Sequence, residues 1–388
     1  MATNNNDKTL NVPPLRFPEF SGEWEEHTLS EYLEFKNGLN PDAKRIGSGL
    51  PFISVMDILS EGVINYDNIR GKVNATEKEI ECFGVKDGDL LFQRSSETLE
   101  DVGRANVYMD NRTAIYGGFV IRGRKIGNYD PLFFKYLLAT PLARKRTCRM
   151  GAGAQHFNIG QEGLSKISLY FPSIEEQRKI AGFLSLIDER IATQNKIIED
   201  LKKLKSAIRK KIFSLLKDEY TKSFEINQLL DYEQPTAYIV ANDEYSTDTR
   251  LTPVLTANKG FILGYTDEKN GIYQKGACII FDDFTMDAKY VSIPFKVKSS
   301  AIKILTAKPN VNLRFMFEYL SHWELKSEEH KRHYISEISP LVIELPSKEK
   351  QNIIALLMTS LNNKLTIEEK AKIRYEVQKG YLLSQMFI

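Results

Sequence analysis

Two stretches of the chain place apolar residues at alternating steps of four and three. In the first, Ile180, Leu184, Ile187 and Ile191 continue through Ile198, Leu201, Ile208, Ile212 and Leu215, with Gln194 and Lys205 filling the gaps in the rhythm. That is a heptad seam, and it predicts one long helix. The second stretch runs through Ile354, Met358, Leu361, Leu365, Tyr375, Leu382 and Met386, with Glu368 and Lys379 where the first has Gln194 and Lys205. The stretches are copies. Residues 172–213 align with 346–387 without a gap at an offset of 174, and nine of the 42 aligned positions are identical. Each copy opens on Pro-Ser-x-x-x-Gln, at Pro172 to Gln177 and Pro346 to Gln351. Ser173 and Ser347 are predicted N-caps, and Glu176 would complete a capping box that Lys350 cannot. A seam this long needs an apolar partner in water. The other copy in the same chain supplies one, packed antiparallel about a pseudo-two-fold axis.

Each copy follows a segment of mixed character. In the first segment, residues 50–55, 89–92 and 118–121 are apolar runs bounded by glycines and read as strands, and residues 130–138 read as a helix capped by Asp130. In the second, residues 278–281 and 301–305 are strand candidates, and residues 312–320 read as a helix with the same aromatic spacing. His156-Phe157 precedes the first long helix by 16 residues, and His333-Tyr334 precedes the second by 13. The expected architecture is α+β: a tail at 1–14, mixed α/β domains at 15–171 and 218–345, and two long antiparallel coiled-coil helices at 172–217 and 346–388. The domains have diverged while the helices stayed alike, which suggests that each domain reads something different.

Composition narrows the classes. The 388 residues are 42% hydrophobic and 27% charged with a net charge of +2, which excludes a disordered chain. No apolar run reaches the ~18 residues of a membrane helix, and the Asn-rich start lacks the apolar core of a signal peptide. Three scattered cysteines, Cys82, Cys148 and Cys278, argue against a disulfide framework or cysteine-rich zinc site and suit a reducing cytosol. Positive charge is concentrated in the helices: 11 Lys+Arg against 6 Asp+Glu in 172–217, and 7 against 4 in 346–388.

The opening Leu15-Arg16-Phe17-Pro18-Glu19-Phe20 with Trp24, the two Pro-Ser-x-x-x-Gln starts and the half-chain repeat together resemble the specificity subunit of a type I restriction-modification enzyme. The resemblance covers nearly the whole chain. It implies a non-catalytic subunit that binds double-stranded DNA at a bipartite asymmetric site, one half per target-recognition domain. It implies helices that dock two modification (methyltransferase) subunits, joined by restriction/translocase subunits. S-adenosylmethionine, ATP and Mg would belong to those partners. The setting would be cytoplasmic and nucleoid-associated, with no membrane.

Base reading in the major groove needs forked donors and acceptors, and phosphates need Lys, Arg, Ser and main-chain N–H. Candidates in the first domain are Gln93, Arg94, Ser95, Ser96, Arg104, Arg144, Lys145, Arg146, Arg149, Gln155 and His156. In the second they are Asp282 and Asp283, at the place of Gln93 and Arg94, with Lys289, Lys296, Lys298, Lys303, Lys331, Arg332 and His333. A basic helix end or a surface ion pair is the competing reading for each cluster.

Other chemistry is not apparent. Gly151-Ala152-Gly153 lacks the third glycine and following helix of a cofactor loop, and no Walker-type phosphate loop occurs. Pro41-Asp42-Ala43-Lys44 reads as a surface loop, and His330 with His333 lacks the carboxylate of a metal site. Trp24, Phe17 and Phe20 read as core. Two rivals remain open at this point: a coiled-coil scaffold with protein-binding heads, and an autonomous DNA-modifying enzyme.

Overall fold

The computed structural model describes residues 10–153, 155–216, 222–256, 260–323 and 332–388. The chain forms two compact units, residues 1–195 with 371–388, and residues 196–370.

Among its described residues the first unit holds twelve strands. They are β1 (Glu25–Thr28), β2 (Leu33–Asn37), β3 (Ile46–Ile53), β4 (Gly71–Val73), β5 (Gly84–Val85), β6 (Leu90–Gln93), β7 (Ser95–Ser96), β8 (Ala105–Val107), β9 (Ala114–Tyr116), β10 (Val120–Lys125), β11 (Phe157–Asn158) and β12 (Ser168–Phe171). Its central sheet has the order β2-β10-β6-β8, a second sheet the order β4-β3-β9-β5, and β1 pairs with β12. Helices α1 (Pro131–Ala139) and α2 (Pro141–Cys148) follow the central sheet, and the long helix α3 (Ile174–Leu216) begins here.

The second unit repeats the plan with β13 (Lys222–Glu225), β14 (Leu230–Glu233), β15 (Thr252–Leu255), β16 (Ile262–Thr266), β17 (Cys278–Asp282), β18 (Ala288–Val291), β19 (Lys296–Val297), β20 (Ile302–Ala307) and β21 (Val342–Leu345). Its central sheet runs β14-β20-β17-β18, a second sheet runs β16-β15-β19, and β13 pairs with β21. Each second sheet contains one parallel pair, β3 with β9 and β15 with β19. Helix α4 (Leu313–His322) matches α1, and α5 (Lys348–Gln385) is the second long helix.

Each core closes around the far end of a long helix. In the first unit, Phe387 lies 5.4 Å from Phe133 and 6.2 Å from Trp24, between ring centroids. Ile180, Leu184, Ile187 and Ile191 of α3 join Leu382 and Met386 in the same core. In the second unit the equivalent residue, Phe213, lies 5.7 Å from Phe315 and 4.8 Å from Tyr319. Ile354 and Met358 of α5 share that core.

The helix segments run antiparallel inside each unit. In the first, Leu15 N donates to Gln385 O while its neighbour Arg16 forks onto Glu176, and Lys379 meets Asp188 at 2.6 Å. In the second, Lys202 lies 3.8 Å from Glu369, while Arg209 and Asn362 both hold Glu318.

Some expectations are corrected. Leu215 is 45% exposed, and Phe213 and Leu216 carry the buried face at that end of α3 instead. Ile198 is buried like its predecessors, but Leu201, Ile208, Leu361, Leu365 and Tyr375 are only half-buried, so the seam is partly wet along its middle. Ser173 Oγ accepts from Glu176 N at 3.3 Å, but the Glu176 carboxylate goes to Arg16 at 2.7 Å. The apolar run at 118–121 is half turn: residues 117–119 connect β9 to β10.

Candidate nucleic-acid interface

One hydrogen-bonded frame occurs in both units. The Gln177 side chain is buried; its Nε2 donates to Pro172 O at 3.0 Å and its Oε1 accepts from Asp130 N at 3.1 Å. Asp130 is the N-cap of α1. Gln351 does the same, donating to Pro346 O at 2.9 Å and accepting from Asn312 N, the N-cap of α4, at 2.8 Å. A buried amide has a donor and an acceptor to satisfy, and here both fasten a domain helix to the start of a long helix.

The polar seam positions have partners in the same place. In the first unit, Asp188 accepts from Tyr136 OH at 2.8 Å and pairs with Lys379. In the second, Glu318 of α4 stands where Tyr136 stands in α1. It is fully buried and accepts from Asn362, the repeat equivalent of Asp188, at 3.2 Å. Arg209 binds it at 2.7 Å, and Lys205 lies within its field. Burial lowers the Lys205 pKa and Glu318 opposes that shift. Lys205 and Lys379 thus hold the same heptad site because each faces a carboxylate.

The central sheets also match residue for residue. Gln93 pairs with Val120, and Asp282 with Ile302. One residue further, Arg94 N donates to Phe119 O at 2.9 Å, and Asp283 N donates to Ala301 O at 2.8 Å. Arg94 O accepts from Ile159 N, and Asp283 O accepts from His333 N. Asp282 and Asp283 therefore stand where Gln93 and Arg94 stand. The expected match of His156 to His333 is corrected: His333 corresponds to Ile159.

At this end of the first unit's sheet, several uncommitted polar groups gather. Arg94 is half-buried, with Nη1 3.3 Å from Gly118 O. Ser95 and Ser96 form β7, paired with β11, and Ser95 Oγ bonds to Asn158. Gln155 and His156 are exposed. Gln93 lies beneath, 4% exposed, donating from Nε2 to Ser95 O at 2.9 Å, so it supports the edge rather than reaching out.

The basic cluster is partly consumed by structure. Arg144 donates to Glu100 O and Val102 O at 2.8 and 2.7 Å, and burial lowers its pKa. Arg146 binds Glu26, Ser168 O and Ser168 Oγ and lies over the Tyr170 ring. Arg104 pairs with Asp101 at 2.7 Å. Lys145 and Arg149 are exposed. Arg104, Arg144 and Lys145 line a cleft of about 930 Å³ with Lys135, Asp188 and Lys379, all within the first unit.

The second unit's corresponding edge is closed. Asp282 Oδ1 accepts from Phe284 N and Thr285 N, both at 2.9 Å. Asp283 accepts from His333 N and Tyr334 N, and its other oxygen lies 3.3 Å from Lys303 Nζ. Asp283 and Lys303 are each 1% exposed, and no base edge can reach them. Lys296 is spent on Glu268 at 2.5 Å and Asn270 O at 2.7 Å, and buried His333 on Glu337 at 2.8 Å. The structure places these five candidates in the buried framework of the domain. Lys298 and Arg332 are exposed and Lys289 is half-buried on β18. Lys331 and His330 lie outside the described residues.

Comparison with known proteins bears on the whole. The sequence profile of the type I restriction modification DNA specificity domain matches residues 21–203. The EcoR124I/EcoR124II specificity subunit of Escherichia coli is 38% identical over 178 residues, spanning 41% of this chain and 43% of that protein. The putative MjaX specificity subunit of Methanocaldococcus jannaschii is 24% identical over 413 aligned residues, 97% of this chain and 96% of that protein. The S subunit of a type I restriction-modification system from M. genitalium shares the fold, with a TM-score of 0.66 at 16% identity over 97% of this chain and 99% of that one. Residues 21–203 thus match that specificity domain, and the chain as a whole is similar to type I restriction-modification specificity subunits. A further chain, from a structure of type I R-M complex assembly and conformational transition, gives a TM-score of 0.54 at 12% identity over 96% of this chain and 99% of that one.

The chain has a duplicated frame whose exposed edges differ between copies. Sequence reasoning missed two residues at the first edge. Phe119, assigned to a strand, is 68% exposed at the 117–119 turn. Asn40 is exposed, and its amide lies against Gly118, where an added Cβ would meet Oδ1 at 1.8 Å. The Gly117-Gly118-Phe119 run was the available signal. Among the described residues no cluster of His, Cys, Asp and Glu could hold a metal ion, and no described helix is long and apolar enough to cross a membrane.

Proposed function

We propose that this chain is a specificity (S) subunit that supplies sequence recognition to a type I restriction-modification complex. It reads a bipartite asymmetric DNA site, residues 15–171 recognising one half and 218–345 the other. The helices at 172–217 and 346–388 dock two modification subunits and, through them, restriction/translocase subunits. The chain contributes no catalytic group; S-adenosylmethionine, ATP and Mg belong to the partners. The observation that carries this reading is the duplicated frame, with Gln177 and Gln351 in the same bonds, beneath edges of unlike chemistry. A common scaffold with different surfaces suits two different half-sites, since direct readout is set by the donors and acceptors each surface presents.

The test is methylome sequencing of cells expressing the chain with its modification subunit. Exchanging residues 15–171 for those of a relative should change one half of the methylated sequence. A change in both halves, or methylation by the chain alone, would refute independent non-catalytic domains. Inserting one heptad into residues 185–205 should lengthen the unread gap or abolish assembly, and unchanged spacing would remove the helices as its determinant.

A further inference from the structure

We infer that Arg94 and Phe119 are specificity-determining residues of the first recognition domain, Arg94 for a guanine and Phe119 for the methyl group of a neighbouring thymine. This rests on the DNA-recognition reading above and names the chemistry of one of its sites.

The two residues are held side by side by backbone. Arg94 N donates to Phe119 O, and Arg94 Nη1 sits 3.3 Å from Gly118 O. Among the described residues no carboxylate pairs with Arg94, and Nε and Nη2 have no partner there. The free side of the guanidinium fork matches the O6 and N7 acceptors that guanine presents in the major groove. Phe119 is 68% exposed between Tyr116 and Val120, which are both fully buried. The turn that projects it is rigid: a side chain on Gly117 would press on the Phe52 ring at 3.0 Å, and one on Gly118 would collide with Asn40. An apolar ring held in water by a locked turn, beside an unpaired guanidinium, has the composition of a base-reading edge. Thymine offers the apolar contact, through its C5 methyl.

The second unit is the internal control. Its matching residues are Asp283, consumed by Lys303 and two backbone N–H groups, and Ala301. The frame therefore does not require Arg94 or Phe119. What differs between two otherwise matching domains is what can make their half-sites differ.

The experiment uses the full chain assembled with its modification subunit, reading methylation across libraries randomised in each half-site. Arg94→Ala and Arg94→Lys should each lower preference for guanine at one position of one half-site by about tenfold to a hundredfold, leaving the other half unchanged. Phe119→Ala should abolish discrimination between thymine and deoxyuridine at one position, about fourfold in the wild type from the value of one methyl group. Weakening that is uniform across sequences would overturn the assignment of Arg94, as a phosphate contact behaves that way. Retained thymine-over-deoxyuridine preference in Phe119→Ala would overturn that of Phe119. If the wild-type complex shows no sequence preference in either half, the parent reading falls too. If the wild type reads a split site and both variants match it, this inference alone falls.

Discussion

At one register position the first unit holds Arg94 and the second holds Asp283, and the two residues behave oppositely. Arg94 is half-buried, bonds one backbone carbonyl and keeps one side of its fork free. Asp283 is 1% exposed and satisfies Lys303, His333 N and Tyr334 N. The surroundings explain the divergence. Lys303 on β20 corresponds to Ile121 on β10, so only the second sheet places a buried amine beside this position. A buried ammonium demands a carboxylate, and Asp283 provides it by turning inward. Where no such demand exists, the position is free to face solvent. The lesson is that equivalence of backbone does not transfer function between repeated domains; the neighbouring strand decides which positions are available.

The largest effect should come from breaking this contrast. Asp283→Ala strands a buried lysine and two backbone N–H groups, and should cost about 3–5 kcal/mol of stability. Arg94→Ala, at the same position in the first unit, should cost under about 0.5 kcal/mol. Urea denaturation of the two variants measures both; a difference below about 1 kcal/mol would show that Asp283 is no more structural than Arg94. The pair Asp283→Leu with Lys303→Met should recover part of the loss, because removing both charges leaves none unpaired while the His333 and Tyr334 N–H groups stay without an acceptor.

The repeat frame was legible because heptads and caps are local. Ile180, Leu184, Met358 and Leu382 show their burial in spacing alone, and Pro-Ser-x-x-x-Gln marks both helix starts. The positions of Asp282 and Asp283 opposite Gln93 and Arg94 were legible too, from the apolar strand that precedes each pair. What spacing cannot carry is orientation at a strand end. Lys296, Lys303 and Arg146 read as basic candidates, but each is spent on a group distant in sequence: Glu268, Asp283 and Glu26. Glu176 read as a capping-box carboxylate because Arg16 lies 160 residues away. Phe119 read as part of a strand because apolar residues follow it, and only the crowding around Gly117 and Gly118 shows why the chain must turn there.

A second difference lies on the matching helices α1 and α4. The fifth residue after the N-cap is Lys135 in the first unit and Phe317 in the second. Phe317 packs into the core cluster of its unit, 6.0 Å from Tyr290. Lys135 donates to Gly62 O at the cleft, and burial pushes its pKa down from 10.5 to about 8. A folded pKa below the unfolded one means that the charged form is penalised in the fold. The penalty is complete below pH ~8 and fades as the pH rises to ~10.5. Lys135→Met should therefore raise stability at pH 7 by about 2 kcal/mol, a figure reduced for a side chain that water partly screens. The advantage should vanish by pH ~10.5. Thermal denaturation across pH 7–10.5 gives the comparison, and a constant difference between variant and wild type would exclude burial of the amine as the cause.

The smallest expected effect is the most discriminating, because it concerns what the two units share. Gln177 and Gln351 make the same two bonds, to Pro172 O and Asp130 N in one unit and to Pro346 O and Asn312 N in the other. Leucine in either place keeps the volume and removes both partners. Each substitution should cost about 1–2 kcal/mol, the loss of one bond to a buried backbone group and one to a half-buried backbone group. The two costs should agree within about 0.5 kcal/mol, since the surroundings are equivalent. Hydrogen exchange separates a local lock from general loosening. Gln177→Leu should speed exchange at the Asp130 amide and leave Asn312 protected, and Gln351→Leu should do the reverse. If either substitution exposes both amides, the glutamines are not independent fasteners. The two domains would then unfold as one cooperative body, and the separability that the proposed half-site exchange depends on would be lost with them.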